Sequence, residues 1–128
     1  MKTLFVSDLD GTLLTSAENI SPYSLEKLNA MIDGGMPFTY ATARSLNSAA
    51  KAVWGLRQNL PVILYNGAVI MEPSGGSMLY NNPFNAGQRE YIRSLLQKYG
   101  LSPLVYSFQK GRELVSWEMG RETEGMLR

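Results

Sequence analysis

The stretch that decides the fold is Leu4-Phe5-Val6-Ser7-Asp8-Leu9-Asp10-Gly11-Thr12-Leu13-Leu14. Its short apolar run predicts a buried β-strand, which ends in two carboxylates, a glycine and a threonine. Side chains two residues apart in extended backbone point to the same side, so we expect Asp8 and Asp10 to face one place. Two carboxylates at such a short distance repel each other unless a cation lies between them or one of them keeps a proton.

Gly11 allows the chain to turn sharply, and the amides around it can line an anion site. A strand end, two acids and free amides together indicate Mg²⁺-assisted phosphoryl chemistry. An ordinary turn is the structural alternative, because Asp-Gly after a strand is a common turn signal. Spacing argues against a calcium loop of the EF-hand type, because Leu13 occupies the position that requires glycine.

Composition narrows the class of protein. The chain has 128 residues, 45% of them hydrophobic, and a net charge of +1. This is typical of one globular domain, or of one domain with part of a second, and gives no reason to expect nucleic acid as a partner. Cysteine and histidine are both absent, which excludes thiolate nucleophiles and Ser-His-Asp triads and leaves carboxylates as catalysts. The apolar start is too short for a signal peptide or membrane span, so we expect a cytoplasmic protein without a membrane partner.

The first half of the chain alternates strands and helices. Ser21-Pro22 predicts the start of a helix that ends at Gly34-Gly35, and Met36 to Ala41 predicts a second strand. This β-α-β order indicates a parallel sheet. A second helix follows from Ser45, and a third strand is expected over Pro61 to Tyr65; the predicted packing face of that helix comprises Leu46, Ala49, Ala50, Val53 and Trp54.

The second half changes character. Ala68 to Met71 and Ser77 to Tyr80 predict one β-hairpin, and Asn85 with Gln88 predicts a capping box that opens a helix ending at Gly100. A second hairpin is expected around Lys110-Gly111, with strands over Leu104 to Phe108 and Glu113 to Trp117. A helix with hairpins after a βαβ core indicates α+β organisation.

Asp8 to Leu14 resembles motif I of the haloacid dehalogenase-like (HAD) phosphatases, and the chain that follows is similar to their Cof-type branch. The resemblance implies an incomplete α/β Rossmann-like core with a parallel sheet over residues 1–80, followed by the beginning of an α+β cap domain over 81–128. By this resemblance Asp8 is the nucleophile that forms an aspartyl-phosphate, and Asp10 is the general acid and base. Mg²⁺ would contact the Asp8 carboxylate and the Asp10 backbone carbonyl, and Leu9 between them belongs to the predicted phosphate site.

Motif II of the family is a Ser or Thr at the end of the second strand, commonly within Thr-Gly-Arg-Pro. This chain has Thr42-Ala43-Arg44-Ser45, and we expect the Thr42 hydroxyl to bind a phosphate oxygen. Ala43 would crowd any backbone with a positive φ, and Ser45 is expected to cap the next helix. Arg44 either contacts the substrate or is a solvated charge at the start of that helix.

Asn66-Gly67 closes the third strand. It is a strong hairpin signal, but by the resemblance it also lies beside the phosphate pocket, where Asn66 could donate its amide. A phospho-accepting receiver domain is another class with paired acids, but it fits poorly, because Asn66 stands where that class requires an acceptor aspartate.

Motif III (a cation) and motif IV (further acids) follow the cap in family order, and no aspartate occurs after Asp33. We therefore expect this chain to be the N-terminal portion of a longer phosphatase that acts on a small phosphorylated metabolite, such as a sugar phosphate. We expect this portion alone to hydrolyse its substrate weakly or not at all. The first strand would then be an unpaired edge open to self-association. A catalytically inactive HAD-like interaction module and a phosphomutase with the same aspartate chemistry remain alternatives.

Overall fold

A computed structural model describes residues 3–73, 76–123 and 126. The chain divides into two compact units, Met1–Asn82 and Pro83–Arg128.

The first unit begins with the predicted βαβ arrangement. Strand β1 (Phe5–Ser7) pairs in parallel with β2 (Phe38–Tyr40), with Phe5 opposite Phe38. Helix α1 (Pro22–Asp33) connects them, and its first turn is capped as the sequence predicts, because the Ser21 side chain accepts a hydrogen bond from the Ser24 amide. A local cap of this kind satisfies a donor that has no partner inside the helix.

The sheet continues through helix α2 (Leu46–Ala52) into β3 (Val62–Leu64). A single parallel bridge between Ala41 and Ile63 joins β3 to the end of β2. Strands β4 (Val69–Met71) and β5 (Met78–Asn81) then run antiparallel, as the first predicted hairpin requires. Two residues of the loop between them, 74 and 75, lie outside the described part of the chain.

The hydrophobic core forms where the inner strands meet the two helices. The buried strand residues are Phe38, Tyr40, Val62, Leu64, Val69 and Met71, and the buried helix and cap residues are Ile32, Ala49, Ala52 and Val53. Leu9, Leu14 and Ile20, from the segment between β1 and α1, are buried as well.

Two predictions about burial are wrong. Strand β1 was expected to be buried, but Leu4, Phe5 and Val6 are 53%, 50% and 49% exposed. Within the described part of the chain β1 pairs with β2 alone, so its second edge is open. Trp54 and Ala50 were both expected on the packing face of α2, but Trp54 is 85% exposed and Ala50 is exposed as well. Helix α2 ends at Ala52 and Val53 caps it, so helical spacing no longer directs Trp54 toward the core.

The second unit consists of one helix and one hairpin. Helix α3 (Ala86–Tyr99) begins with the predicted capping box of Asn85 and Gln88, and Gly100 ends it at φ +63°. Strands β6 (Val105–Gln109) and β7 (Arg112–Ser116) form the predicted second hairpin. Among the described residues, no helix of either unit has the length and apolar character needed to cross a bilayer.

Candidate active site

One pocket of the first unit lies at the carboxyl ends of its parallel strands and has a volume of about 260 Å³. Ligands of open parallel sheets bind at this edge because the loops there converge. Five of the residues predicted for the site line this pocket, namely Asp8, Thr42, Ala43, Asn66 and Gly67; Ala41 and Ile63 complete the lining. The remaining three predicted residues, Leu9, Asp10 and Arg44, do not line it.

Asp8 follows β1 directly and is still extended, with φ −72° and ψ 160°. One of its carboxylate oxygens, Oδ1, accepts a hydrogen bond from the Leu9 amide at 2.8 Å. The Leu9 side chain is fully buried and anchors this turn in the core. The Leu9 N–H thus orients Asp8, and the Leu9 side chain offers nothing to a ligand in the pocket.

The backbone leaves the extended conformation immediately after Asp8. The Leu14 amide donates to the Leu9 carbonyl at 2.9 Å and closes a wide turn, in which Gly11 adopts φ +73° as the sequence predicts. Since β1 ends at Ser7, the alternation expected of strand residues does not extend to Asp10. This is why Asp8 lines the pocket and Asp10 does not.

The Asp10 carboxylate instead forms an ion pair with Arg44. Arg44 Nη2 donates to Asp10 Oδ1 at 2.6 Å, and Arg44 Nε donates to Asp10 Oδ2 at 2.9 Å. Such two-point pairing is among the stronger ion pairs of proteins. The hydrogen bond from Arg44 lowers the pKa of Asp10, and the same bond raises the pKa of Arg44. Arg44 therefore has a role beyond the two expected from the sequence, because it binds the predicted acid/base.

Arg44 has two further partners that were not predicted from the sequence. Arg44 Nη2 also donates to Glu18 Oε2 at 3.1 Å, and Arg44 Nη1 donates to the Ser48 hydroxyl at 3.2 Å. Glu18 lies 26 residues before Arg44 in the sequence. No local pattern marks such a pair, because only the folded loops bring the two side chains together.

Thr42 is buried, with 4% of its surface exposed. Its hydroxyl oxygen accepts a hydrogen bond from the Arg44 amide at 3.1 Å, so it also stabilises the loop after β2. Ala43 fits this loop without strain, since it is not among the described residues with positive φ. Ser45 caps α2 as predicted, accepting from the Ser48 amide.

The Asn66-Gly67 turn has an uncommon backbone. Tyr65, Asn66 and Gly67 have φ values of +51°, +55° and +88° in succession. Asparagine and glycine tolerate this left-handed region, whereas a tyrosine there is strained. The turn joins β3 to β4, so the predicted hairpin role is correct, and Asn66 and Gly67 line the pocket as well. Backbone strain of this kind clusters at binding and catalytic sites.

A family model described as haloacid dehalogenase-like hydrolase matches residues 5–119. The chain belongs to this family.

Solved structures of HAD-like hydrolases have the same fold. One from Bacteroides thetaiotaomicron has a TM-score of 0.70 at 25% identity, over 84% of this chain and 41% of that protein. One from B. subtilis has a TM-score of 0.69 at 27% identity, over 84% of this chain and 37% of that protein. A further B. thetaiotaomicron protein, studied among phosphatases of the HAD superfamily, has a TM-score of 0.70 at 22% identity, over 97% of this chain and 43% of that protein. The chain therefore spans about two fifths of the length of these structures, and the predicted incomplete Rossmann-like HAD core is confirmed.

The Asp8 carboxylate at the pocket suits a hard cation, and one further oxygen is expected from the neighbouring turn. Asp8 offers a carboxylate, and the Asp10 carbonyl is the backbone oxygen that the family resemblance assigns to the metal. Mg²⁺ prefers oxygen ligands and is commonly held by one or two carboxylates together with waters and substrate phosphate. Over residues 3–73, 76–123 and 126, no three acidic, histidine or cysteine side chains come together as a metal cluster. The residues present thus fit Mg²⁺ bound largely through substrate and water, for which Asp8 would be the side-chain ligand.

Proposed function

We propose that this chain carries the nucleophile and phosphate pocket of a Mg²⁺-dependent phosphatase that acts on a small phosphorylated metabolite. The observation that carries the proposal is that Asp8 and Thr42, at the ends of neighbouring parallel strands, line one pocket. A carboxylate and a hydroxyl at this edge are the groups needed to attack and to hold a phosphoryl group. Membership in the HAD-like hydrolases and likeness to a protein studied among HAD phosphatases support the same reaction class.

In the proposed first step, an Asp8 carboxylate oxygen attacks phosphorus, and the bond from phosphorus to the substrate oxygen breaks. Asp10 gives its proton to that leaving oxygen. In the second step Asp10 takes a proton from water, the resulting hydroxide attacks phosphorus, and the bond to Asp8 breaks to release phosphate. Thr42 and Asn66 would donate hydrogen bonds to phosphate oxygens, since both line the pocket. Bound Mg²⁺ would supply charge neutralisation between the phosphate and the attacking carboxylate.

The Arg44 ion pair bears directly on the acid role of Asp10. An aspartate on an arginine keeps its proton poorly, and the pKa of Asp10 is lowered by the Arg44 hydrogen bond. The carboxylate also does not line the pocket. We therefore propose that the state shown is a resting arrangement. Asp10 then leaves Arg44 and takes up a proton from solvent, and this is the proton that it donates to the leaving group.

We also propose that the 128 residues alone turn over substrate weakly or not at all. The family resemblance assigns a cation and further acids to segments that follow the cap, and the relatives are more than twice as long as the matched part. Missing metal-ligand and cationic groups cost several kcal/mol of transition-state stabilisation, about 10²–10³ in rate for a single group. Robust hydrolysis of an aryl phosphate by the pure chain with Mg²⁺ would contradict this.

Trapping with beryllofluoride and Mg²⁺ tests the nucleophile without requiring turnover. Beryllofluoride binds an active-site carboxylate in place of a phosphoryl group, and ¹⁹F NMR detects the adduct. We expect an adduct with the unmodified chain and none with Asp8→Asn. The matched control is Asp33→Asn, because Asp33 pairs with Arg57 away from the pocket; it should keep the adduct. Absence of an adduct from the unmodified chain would favour the inactive interaction module.

A further inference from the structure

The guanidinium of Arg44 is shared by two carboxylates. Asp10 binds it at two points, at 2.6 and 2.9 Å, and Glu18 binds it at 3.1 Å. The Arg44 side chain is only 16% exposed, whereas those of Asp10 and Glu18 are 54% and 74% exposed. A nearby counter-charge stabilises a cation whose side chain is mostly covered by protein. If one acid leaves Arg44, the other can still supply that charge.

The loop over residues 15–19 fixes the position of Glu18. The Glu18 amide donates to the Thr15 carbonyl at 3.0 Å, and the Thr15 amide donates to the Asn19 carbonyl at 2.8 Å. A second bond joins the Thr15 hydroxyl to the Asn19 side-chain oxygen at 2.8 Å. Glu18 itself has φ +57°, a region that disfavours a side chain of this type. The loop thus holds Glu18 in a strained conformation in which its carboxylate reaches Arg44.

We propose that Glu18 is a positioning residue that remains on Arg44 as its counter-ion and thereby allows the Asp10 carboxylate to leave for the substrate. The departure of Asp10 rests on the proposed function, but the competition between the two acids does not. Both carboxylates accept from the same nitrogen, Arg44 Nη2, so each weakens the attraction of Arg44 for the other. Removing the charge of Glu18 should therefore tighten the contact between Arg44 and Asp10.

A purely structural role for Glu18 gives the opposite expectation. If Glu18 only tethers its loop to Arg44, removing it frees both the loop and the guanidinium, and the contact with Asp10 loosens. The sign of the change in the Asp10–Arg44 contact therefore separates the two roles.

Hydrogen exchange of the Arg44 Nε–H measures this contact, because that group donates to Asp10 Oδ2. The signal is assigned in ¹H–¹⁵N NMR spectra by its loss in Arg44→Lys. The Asp10→Asn variant gives the exchange rate of the Arg44 Nε–H when the ion pair with Asp10 is broken. In both Glu18→Gln and Glu18→Ala we expect exchange to slow by about threefold to tenfold at constant pH, the scale of a strengthened charged hydrogen bond. Glu18→Asp should return the rate toward that of the unmodified chain.

The matched control is Glu26→Gln, which removes an equal charge from an exposed glutamate of α1 that pairs with Lys27. It should leave the Arg44 signal unchanged, because Arg44 is not among its partners. Unchanged or faster exchange in folded Glu18→Gln and Glu18→Ala would overturn the proposal. The beryllofluoride adduct reports on Asp8 separately, so the phosphatase proposal can fail while the Glu18 result stands, and the reverse.

Discussion

The backbone N–H of Asn66 donates a hydrogen bond to the backbone carbonyl oxygen of Thr42 at 3.0 Å. The neighbouring backbone N–H of Tyr65 donates to the backbone carbonyl of Arg44 at 3.2 Å. The turn after β3 is thereby tied to the loop after β2. Because these bonds use backbone atoms, they hold the pocket side chains of Thr42 and Asn66 on one rigid frame. Pre-organised donors of this kind bind a developing charge without reorganisation.

Two substitutions at Asn66 separate its backbone role from its side-chain role. Asn66→Gly removes the side-chain amide and keeps the left-handed backbone and its N–H. We therefore expect the free energy of unfolding to change by less than about 0.5 kcal/mol. Asn66→Ala places a Cβ in the same conformation and should destabilise by roughly 1 kcal/mol. Both should weaken the beryllofluoride adduct equally if the amide donates to the phosphate. Urea unfolding and ¹⁹F titration give the two quantities, and full retention of adduct affinity in Asn66→Gly would show that the side chain is not a ligand.

Thr42 allows a similar separation. Thr42→Val keeps the shape but leaves the Arg44 amide without its acceptor, so we expect a loss of about 1–3 kcal/mol in unfolding free energy and a weaker adduct. Thr42→Ser keeps the hydroxyl and should restore most of the adduct affinity. Thermal or urea unfolding of the two variants, with ¹⁹F titration of each, makes the comparison. Equal adduct affinity in both variants would mean that the hydroxyl serves only the loop.

How far the sequence could predict this site depends on the range of each interaction. The caps at Ser21, Ser45 and Asn85 were predictable because donor and acceptor lie within three residues of each other. The pocket positions of Thr42 and Asn66 were predictable because parallel strands bring their carboxyl ends to one edge. The family model and the solved structures bear out the motif that opens the chain at the level of family and fold.

The rest depends on contacts that no local pattern encodes. Arg44 and Asp10 are 34 residues apart and meet only because the turn after Asp8 departs from strand geometry. The left-handed conformation of Tyr65 is imposed by bonds to the preceding loop, against the preference of the residue. The exposure of β1 reflects which strands are present beside it, a property of the whole sheet.

The open edge of β1 predicts self-association of the chain, and we propose a second copy as its partner. The Phe5 N–H donates to the Pro37 carbonyl, and the Ser7 carbonyl accepts from the Ala41 amide, on either side of β2. By strand alternation the Val6 backbone groups therefore face the open edge. Apolar strands with unpaired edges associate, and charged residues on them prevent it. We expect the unmodified chain to show concentration-dependent association in sedimentation velocity, and Val6→Lys to reduce it. Tyr23→Lys is the control, since Tyr23 is an exposed aromatic of α1; equal association in all three proteins would place the contact elsewhere.

The buried phenol of Tyr40 should make the free energy of unfolding depend on pH in alkaline solution. Burial in β2 raises the pKa of its phenol to about 12 from 10.0. The neutral phenol is retained in the folded state while the unfolded state ionises, so the stabilisation is complete below pH 10 and is lost as the pH rises through 12. The loss in unfolding free energy should be on the order of 2–3 kcal/mol in total.

Urea unfolding between pH 9 and 12 measures this loss for the unmodified chain and for Tyr40→Phe, which shares every other titrating group. The difference in unfolding free energy between the two proteins should stay constant up to pH 10 and then shift in favour of Tyr40→Phe. Parallel curves throughout would show that the Tyr40 phenol ionises equally in both states.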